Sequence, residues 1–209
     1  MKKRILITFL SFGLCAAKSY AQESSSGITG GISMGSAKIS DIGNNYKEVI
    51  EGNNIFGIKG GLFMKFNFAP VYIRPEGLIH YETGTVRVSS NAGELSTFAF
   101  ADFKMNRLEI PVMVGIAFVD LLNVEMGPVY NYILKVTDNF HGYRADIAKN
   151  GYGYRIGVTS EIKRFSIGLS YQGTVNRADS MATLELPDEI IFSAALAFGK
   201  GKQIVPYGK

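Results

Sequence analysis

The sequence has almost none of the residues that catalytic or metal-binding proteins usually display. Its single cysteine, Cys15, falls in the first 21 residues, and the 209-residue chain has only two histidines, His80 and His141. One thiol makes no disulfide, and two distant histidines make no Cys/His cluster for a metal. There is no Gly-x-Ser-x-Gly stretch, the turn that exposes a nucleophilic serine. Past residue 21 no apolar run approaches the roughly 20 residues of a transmembrane helix. No amphipathic helical pattern recurs there either.

A surplus of charge is missing too. The full chain has 22 Lys+Arg against 18 Asp+Glu. Four of those cations, Lys2, Lys3, Arg4 and Lys18, precede residue 22, where there are no acids, so 18 of each sign remain. The basicity belongs to the leader, and a nucleic-acid partner has no electrostatic support.

That leader reads MKKRILITFLSFGLCAAKSYAQE. Lys2, Lys3 and Arg4 form a positive start, residues 5–17 a short apolar segment, and Ser19 and Ala21 stand at the −3 and −1 positions of a cleavage site. A cut between Ala21 and Gln22 is predicted. Leu14 before Cys15 is too large for a lipidation box. The expected organisation is a cleaved signal peptide over 1–21, one domain over 22–199, and a tail over 200–209.

What the remaining chain does contain is period-two alternation, the mark of strands with two unlike faces. In 71–82, Val71, Ile73, Pro75, Gly77, Ile79 and Tyr81 alternate with Tyr72, Arg74, Glu76, Leu78, His80 and Glu82, so every ionisable charge shares one face. The pattern recurs at about 27–36, 54–66, 99–118, 121–135, 151–163, 165–176 and 189–199. Long connections (37–53, 83–98, 136–150, 177–188) alternate with short ones at 67–70, 119–120 and 163–164. An eight-stranded antiparallel up-and-down transmembrane β-barrel has that pattern, with short turns on the periplasmic side.

The polar faces favour Gly, Ser, Thr and Asn over the Lys and Glu of a watered surface, which suits a crowded lumen. Phe66, Tyr72, Phe118, Phe165 and Phe198 fall near the short turns and are expected as lipid-facing girdle residues. With the leader, this predicts the outer membrane of a Gram-negative bacterium, with lipid around a monomeric barrel. A barrel of this size is filled by its own side chains, so buried charges must pair. Lys59, Arg74, Arg107 and Arg155 are expected to pair with Glu76, Glu109, Glu125 and Glu161 in an interior network that includes His80. Pro111, inside RLEIPVMVGIAFV, lacks a ladder hydrogen-bond donor and predicts a bulge or local irregularity.

Three stretches, RPEGLIHYETG at 74–84, RLEIPVMVGIAF at 107–118 and MGPVYNYIL at 126–134, resemble recurring patterns of the PorT-like outer-membrane β-barrel family. GIKGGLF at 57–63 is similar to that family's second strand. The resemblance covers nearly the whole chain after the leader, and implies an eight-stranded outer-membrane barrel. The family's name-giving members take part in protein secretion across that membrane.

The residues point to no catalytic group, cofactor or metal. Ser170 or Ser193 with His80 and a glutamate is the only nucleophile–base set considered, and no spacing requires it. Asp41, Glu48 and Glu51 lack the spacing of a calcium loop, and GITGGISMG lacks the strand-to-helix context of a phosphate site. A non-enzymatic structural or partner-docking barrel is expected, with protein partners at the exposed loops or the periplasmic face. A secretion or transport component is the alternative, and a lipid-modifying enzyme the weaker one.

Overall fold

In a computed structural model, the alternating segments pair edge to edge until the sheet meets its own first strand. The structure describes residues 23–40, 49–68, 70–90, 97–119, 121–138, 150–175, 183–184 and 188–198. The leader with Ala21 and Gln22, His141 and the tail 200–209 lie outside them. The strands are β1 (Glu23–Ser40), β2 (Val49–Phe68), β3 (Val71–Ser90), β4 (Thr97–Val119), β5 (Leu122–Asp138), β6 (Asn150–Ile162), β7 (Phe165–Val175), β8 (Thr183–Leu184) and β9 (Asp188–Phe198). Each long strand pairs antiparallel with the next, and β9 closes on β1. The two-residue β8 lies outside this ring and pairs only with the end of β1.

The expected eight-stranded barrel is therefore present, with longer strands than the alternation marked. Pairing on the loop side runs to Ser90↔Thr97 and Ser40↔Val49, so much of the predicted loops 37–53 and 83–98 is hairpin arm. Beyond the membrane the outward face no longer needs to be apolar, and the period-two contrast fades where the ladder continues.

The stagger follows from the pairings. A path across the ladders from Gly57 runs through Ser33, Ile191, Ser170, Gly157, Glu125, Gly115 and Tyr72, and returns to β2 at Asn67, ten residues along. With spacings of about 3.3 Å along a strand and 4.8 Å between strands, that stagger over eight strands gives a tilt of roughly 41° and a radius of about 8 Å. Inward side chains from opposite walls meet at that radius, which closes the lumen without a plug domain.

The outer wall is apolar around its circumference, with Ile58, Leu62, Ile79, Val114, Met126, Ile156, Ile167 and Phe192 exposed. A continuous apolar surface of this kind is stable against lipid and not against water. At the turn end Phe118, Phe165 and Phe198 are 72%, 65% and 57% exposed. At the loop end stand Tyr81, Tyr132, Tyr152, Tyr154 and Tyr171. Residues 152–162 of β6 span about 33 Å along the strand and about 25 Å along the axis, the height of an apolar band between aromatic girdles. Two expected girdle residues are corrected: Phe66 and Tyr72 are buried. The Tyr72 ring packs inward over Gly115, where a Cβ would lie 2.1 Å from the ring, and its hydroxyl has a lumen partner.

Pro111 points inward and is buried. No bulge forms at it. The β3–β4 pairing skips Glu76–Gly77 against Ile110–Pro111 and resumes in the same register. Pro75 and Pro128 sit at equivalent skips against β2 and β4. Each proline removes a donor, and the long flanking ladders hold the register across the gap. The β4–β5 ladder shifts register instead at Leu134 of β5, where Asn106↔Lys135 is followed by Arg107↔Ile133, and again near the turn between Ala117 and Val119.

This orientation predicts a depth-dependent response to charge. Val114→Arg, near mid-membrane, should cost about 2–4 kcal/mol, and Phe118→Arg at the rim about 0–1 kcal/mol. Urea titration of the barrel in lipid vesicles, read by heat-modifiable gel mobility, measures both. Equal costs would mean that the outer wall does not face lipid.

Candidate functional site: the lumen charge network

Inward positions of β2, β3, β4, β6 and β7 converge on one carboxylate. Glu109 lies on β4, two residues beyond Arg107, so both project to the same side. It is fully buried. Lys59 Nζ donates to Glu109 Oε2 at 3.1 Å and Oε1 at 3.3 Å. Arg107 Nε donates to Oε1 at 3.0 Å, and Arg155 Nη2 to Oε2 at 2.9 Å. His80 Nδ1 lies 2.8 Å from Oε1, and Gln172 Nε2 donates at 3.4 Å. The ladders Lys59↔His80 and His80↔Arg107 place three of these groups in one rank across β2, β3 and β4.

Two further groups surround this hub. On the loop side, Glu189 from β9 takes Lys59 at 3.2 Å and pairs closely with Arg107, which also reaches Glu82 at 3.0 Å. Towards the turns, Arg74 bridges Glu76 at 2.7 Å and Glu125 at 2.9 Å, and the Tyr72 hydroxyl donates to Glu125 at 2.9 Å. Lys65 pairs with Glu161 near the periplasmic opening and lies 4.0 Å from the Tyr72 ring centroid. Among the described residues the lumen carries five lysine and arginine side chains, six carboxylates and the His80 imidazole.

All nine residues expected in an interior network are placed in the lumen, with pairings that differ in detail. Glu161 meets Lys65 and none of the four cations assigned to it. Sequence reasoning left out Lys65, Glu82, Gln172 and Glu189 as network members, though each shares inward parity with a residue that was named. Glu189 reaches Lys59 only because β9 closes on β1.

The structure also shows an unexpected constellation. Ser33 Oγ lies 3.0 Å from His80 Nε2, whose Nδ1 faces Glu109, which is the connectivity of a Ser-His-acid triad. The serine is neither Ser170 nor Ser193. Two features of the geometry oppose that chemistry. Ser33 is 2% exposed and His80 and Glu109 are 0% exposed, so no acyl carbon reaches Oγ. Glu109 is also already neutralised by Lys59, Arg107 and Arg155, leaving little charge to stabilise an imidazolium. Gly57 makes this contact possible, because a Cβ there would lie 2.2 Å from His80 Nε2 and 2.4 Å from Ser33 Oγ.

His80, Glu82 and Glu189 offer ligand atoms within 4.8 Å of one another. Arg107 already occupies the space between the two carboxylates, so a cation would have to displace a guanidinium. The donor set is one of ion pairs, not of a metal centre. The described lumen holds an interior cavity of about 20 Å³ beside Arg74, Glu76 and Arg155, room for about one water.

The outer membrane protein beta-barrel domain family matches residues 20–177. No curated protein matches the chain. Among solved structures, the attachment invasion locus protein Ail of Yersinia pestis aligns with a TM-score of 0.40 at 12% identity, covering 85% of this chain and 100% of that one. The translocator domain of the autotransporter NalP from Neisseria meningitidis aligns at 0.33 and 9%, covering 95% and 97%.

The lumen makes three testable statements. Glu109→Gln keeps the size and removes the charge, leaving three buried cations short of a partner, and should cost about 3–5 kcal/mol. Glu161→Gln, at the wetter end, should cost no more than about 1 kcal/mol. Gly57→Ala should cost about 1–3 kcal/mol through displacement of His80 and Ser33. Unfolding midpoints in urea, compared with the parent barrel, check each value.

Proposed function

The chain belongs to the outer membrane protein beta-barrel domain family, and from that premise we propose a non-enzymatic structural and partner-docking role in the envelope. The protein is an integral β-barrel of the Gram-negative outer membrane. A leader cleaved between Ala21 and Gln22 fits that destination. A monomeric barrel fits the closed ring, since β9 and β1 leave no free edge to recruit a second copy. Partners would then be engaged at the hairpin arms and the loops they carry, or at the periplasmic turns.

One observation carries this reading: among the described residues, Glu109 and its cations Lys59, Arg107 and Arg155 cross the lumen at mid-height, each 5% exposed or less. Diffusive transport through the barrel would require breaking several buried ion pairs at once. Acyl transfer would require exposing Ser33, which the same hub keeps covered.

The PorT-like resemblance supports a second reading, membership of a protein-secretion assembly. In that reading the filled barrel is an anchor or docking subunit, and its lumen is not the conduit.

In planar bilayers the purified protein is expected to give no sustained conductance steps. A serine-reactive fluorophosphonate should leave Ser33 unlabelled on the folded barrel. Stable channel openings would overturn the structural reading, and labelling lost in Ser33→Ala would establish the enzymatic one. Co-purification from native membranes separates the two remaining roles, because a stoichiometric secretion complex identifies the second.

A further inference from the structure

The turn-side rim holds a cavity of about 40 Å³ at the periplasmic end of the lumen network, whose Lys65, Arg74 and Glu161 form part of its lining. Lys65 and Asn67 of β2, Glu161 of β6, the turn residues Lys163 and Arg164, and Phe165 of β7 line it. Three features mark it as a built site. Lys65 is 5% exposed and Asn67 9% exposed, and the Asn67 Oδ1 atom is buried with no hydrogen-bond partner. Lys163 holds a φ of 59°, which glycine adopts more easily, so the two-residue turn keeps a cation at a position where the backbone resists one. The adjoining Phe165 ring projects to the lipid side and is largely exposed.

The cavity displays both signs of polar group. Lys163 and Arg164 supply donors and positive charge for a phosphate, while Lys65 is paired with Glu161. The unpartnered Asn67 carbonyl and the second oxygen of Glu161, whose Oε1 takes Lys65, supply acceptors, which a pure anion does not need and an ammonium does. The volume admits a few waters, or the polar end of one headgroup. The location is the level where short periplasmic turns meet the inner-leaflet headgroups. We propose that this rim cavity binds the headgroup of a zwitterionic aminophospholipid. Phosphate lies against Lys163 and Arg164, ammonium against Glu161 and Asn67, and an acyl chain runs past Phe165. The shared chemistry of phosphate with two other sources, an anionic lipid or free phosphate, is what the test must separate.

Native mass spectrometry of the intact barrel does so, after incubation with equimolar phosphatidylethanolamine, phosphatidylglycerol and phosphatidylcholine, and separately with inorganic phosphate as competitor. Phosphatidylethanolamine should be retained about tenfold over the other two, the difference of roughly one charge-assisted hydrogen bond. Lys163→Gly with Arg164→Ser, on an exposed turn that does not threaten folding, should weaken retention about ten- to hundredfold. Asn67→Ala should keep phosphate-bearing lipids bound while erasing the preference for the amine. Equal retention of the three lipids, or an unchanged double variant with normal heat-modifiable mobility, overturns the proposal. Displacement of the lipid by inorganic phosphate makes the cavity a free-anion site and overturns it as well.

Discussion

Hydrocarbon offers a backbone amide no hydrogen-bond partner, and the rest of this structure follows from that lack. Every strand must find two neighbours within the chain, so the sheet must close. Eight strands staggered by ten residues then fix the radius, and the radius fixes how little room lies inside. The outer wall needs only to be apolar, and many residues serve equally well there. The inner wall must fill a narrow space with groups that satisfy one another, and most of the side-chain contacts among the described residues are found there.

Glu109 shows how the second requirement is met. A lone carboxylate in such a space would cost several kcal/mol. Here it is held between Lys59, Arg107 and Arg155, with His80 and Gln172 completing its shell. Those groups come from β2, β3, β4, β6 and β7, so the hub ties most of the circumference together across the lumen. The same saturation explains why a Ser-His-Glu alignment sits in the barrel without an approach to it.

Much of this was legible in the chain. Period-two alternation gave the strands, since one face of each meets lipid and the other meets its neighbours' side chains. The charges of 71–82 and 107–109 all fell on one face, which identified the inside. Legibility failed where the environment changes along a strand. The hairpin arms of β1 to β4 leave the apolar band, and with it the contrast that marks a strand. Tyr72 was assigned to the girdle from its position near a turn, yet its hydroxyl satisfies Glu125 and its ring fills the space left by Gly115. At Pro111, where a bulge or local irregularity is expected, the irregularity is a skipped pairing, and the long ladders on either side hold register across the missing donor.

The sequence by itself determined the alternation, the sidedness of the charges and the order of long and short connections. These are local properties, set by the two-residue repeat of a strand and by turn length. Only the tertiary structure decided the partners. Glu189 stands 130 residues from Lys59 and Ser33 stands 47 from His80, and no spacing along the chain relates them. Closure of β9 on β1 and the ten-residue stagger choose which inward side chains share a level. That choice is a property of the whole ring, so no single strand can encode it.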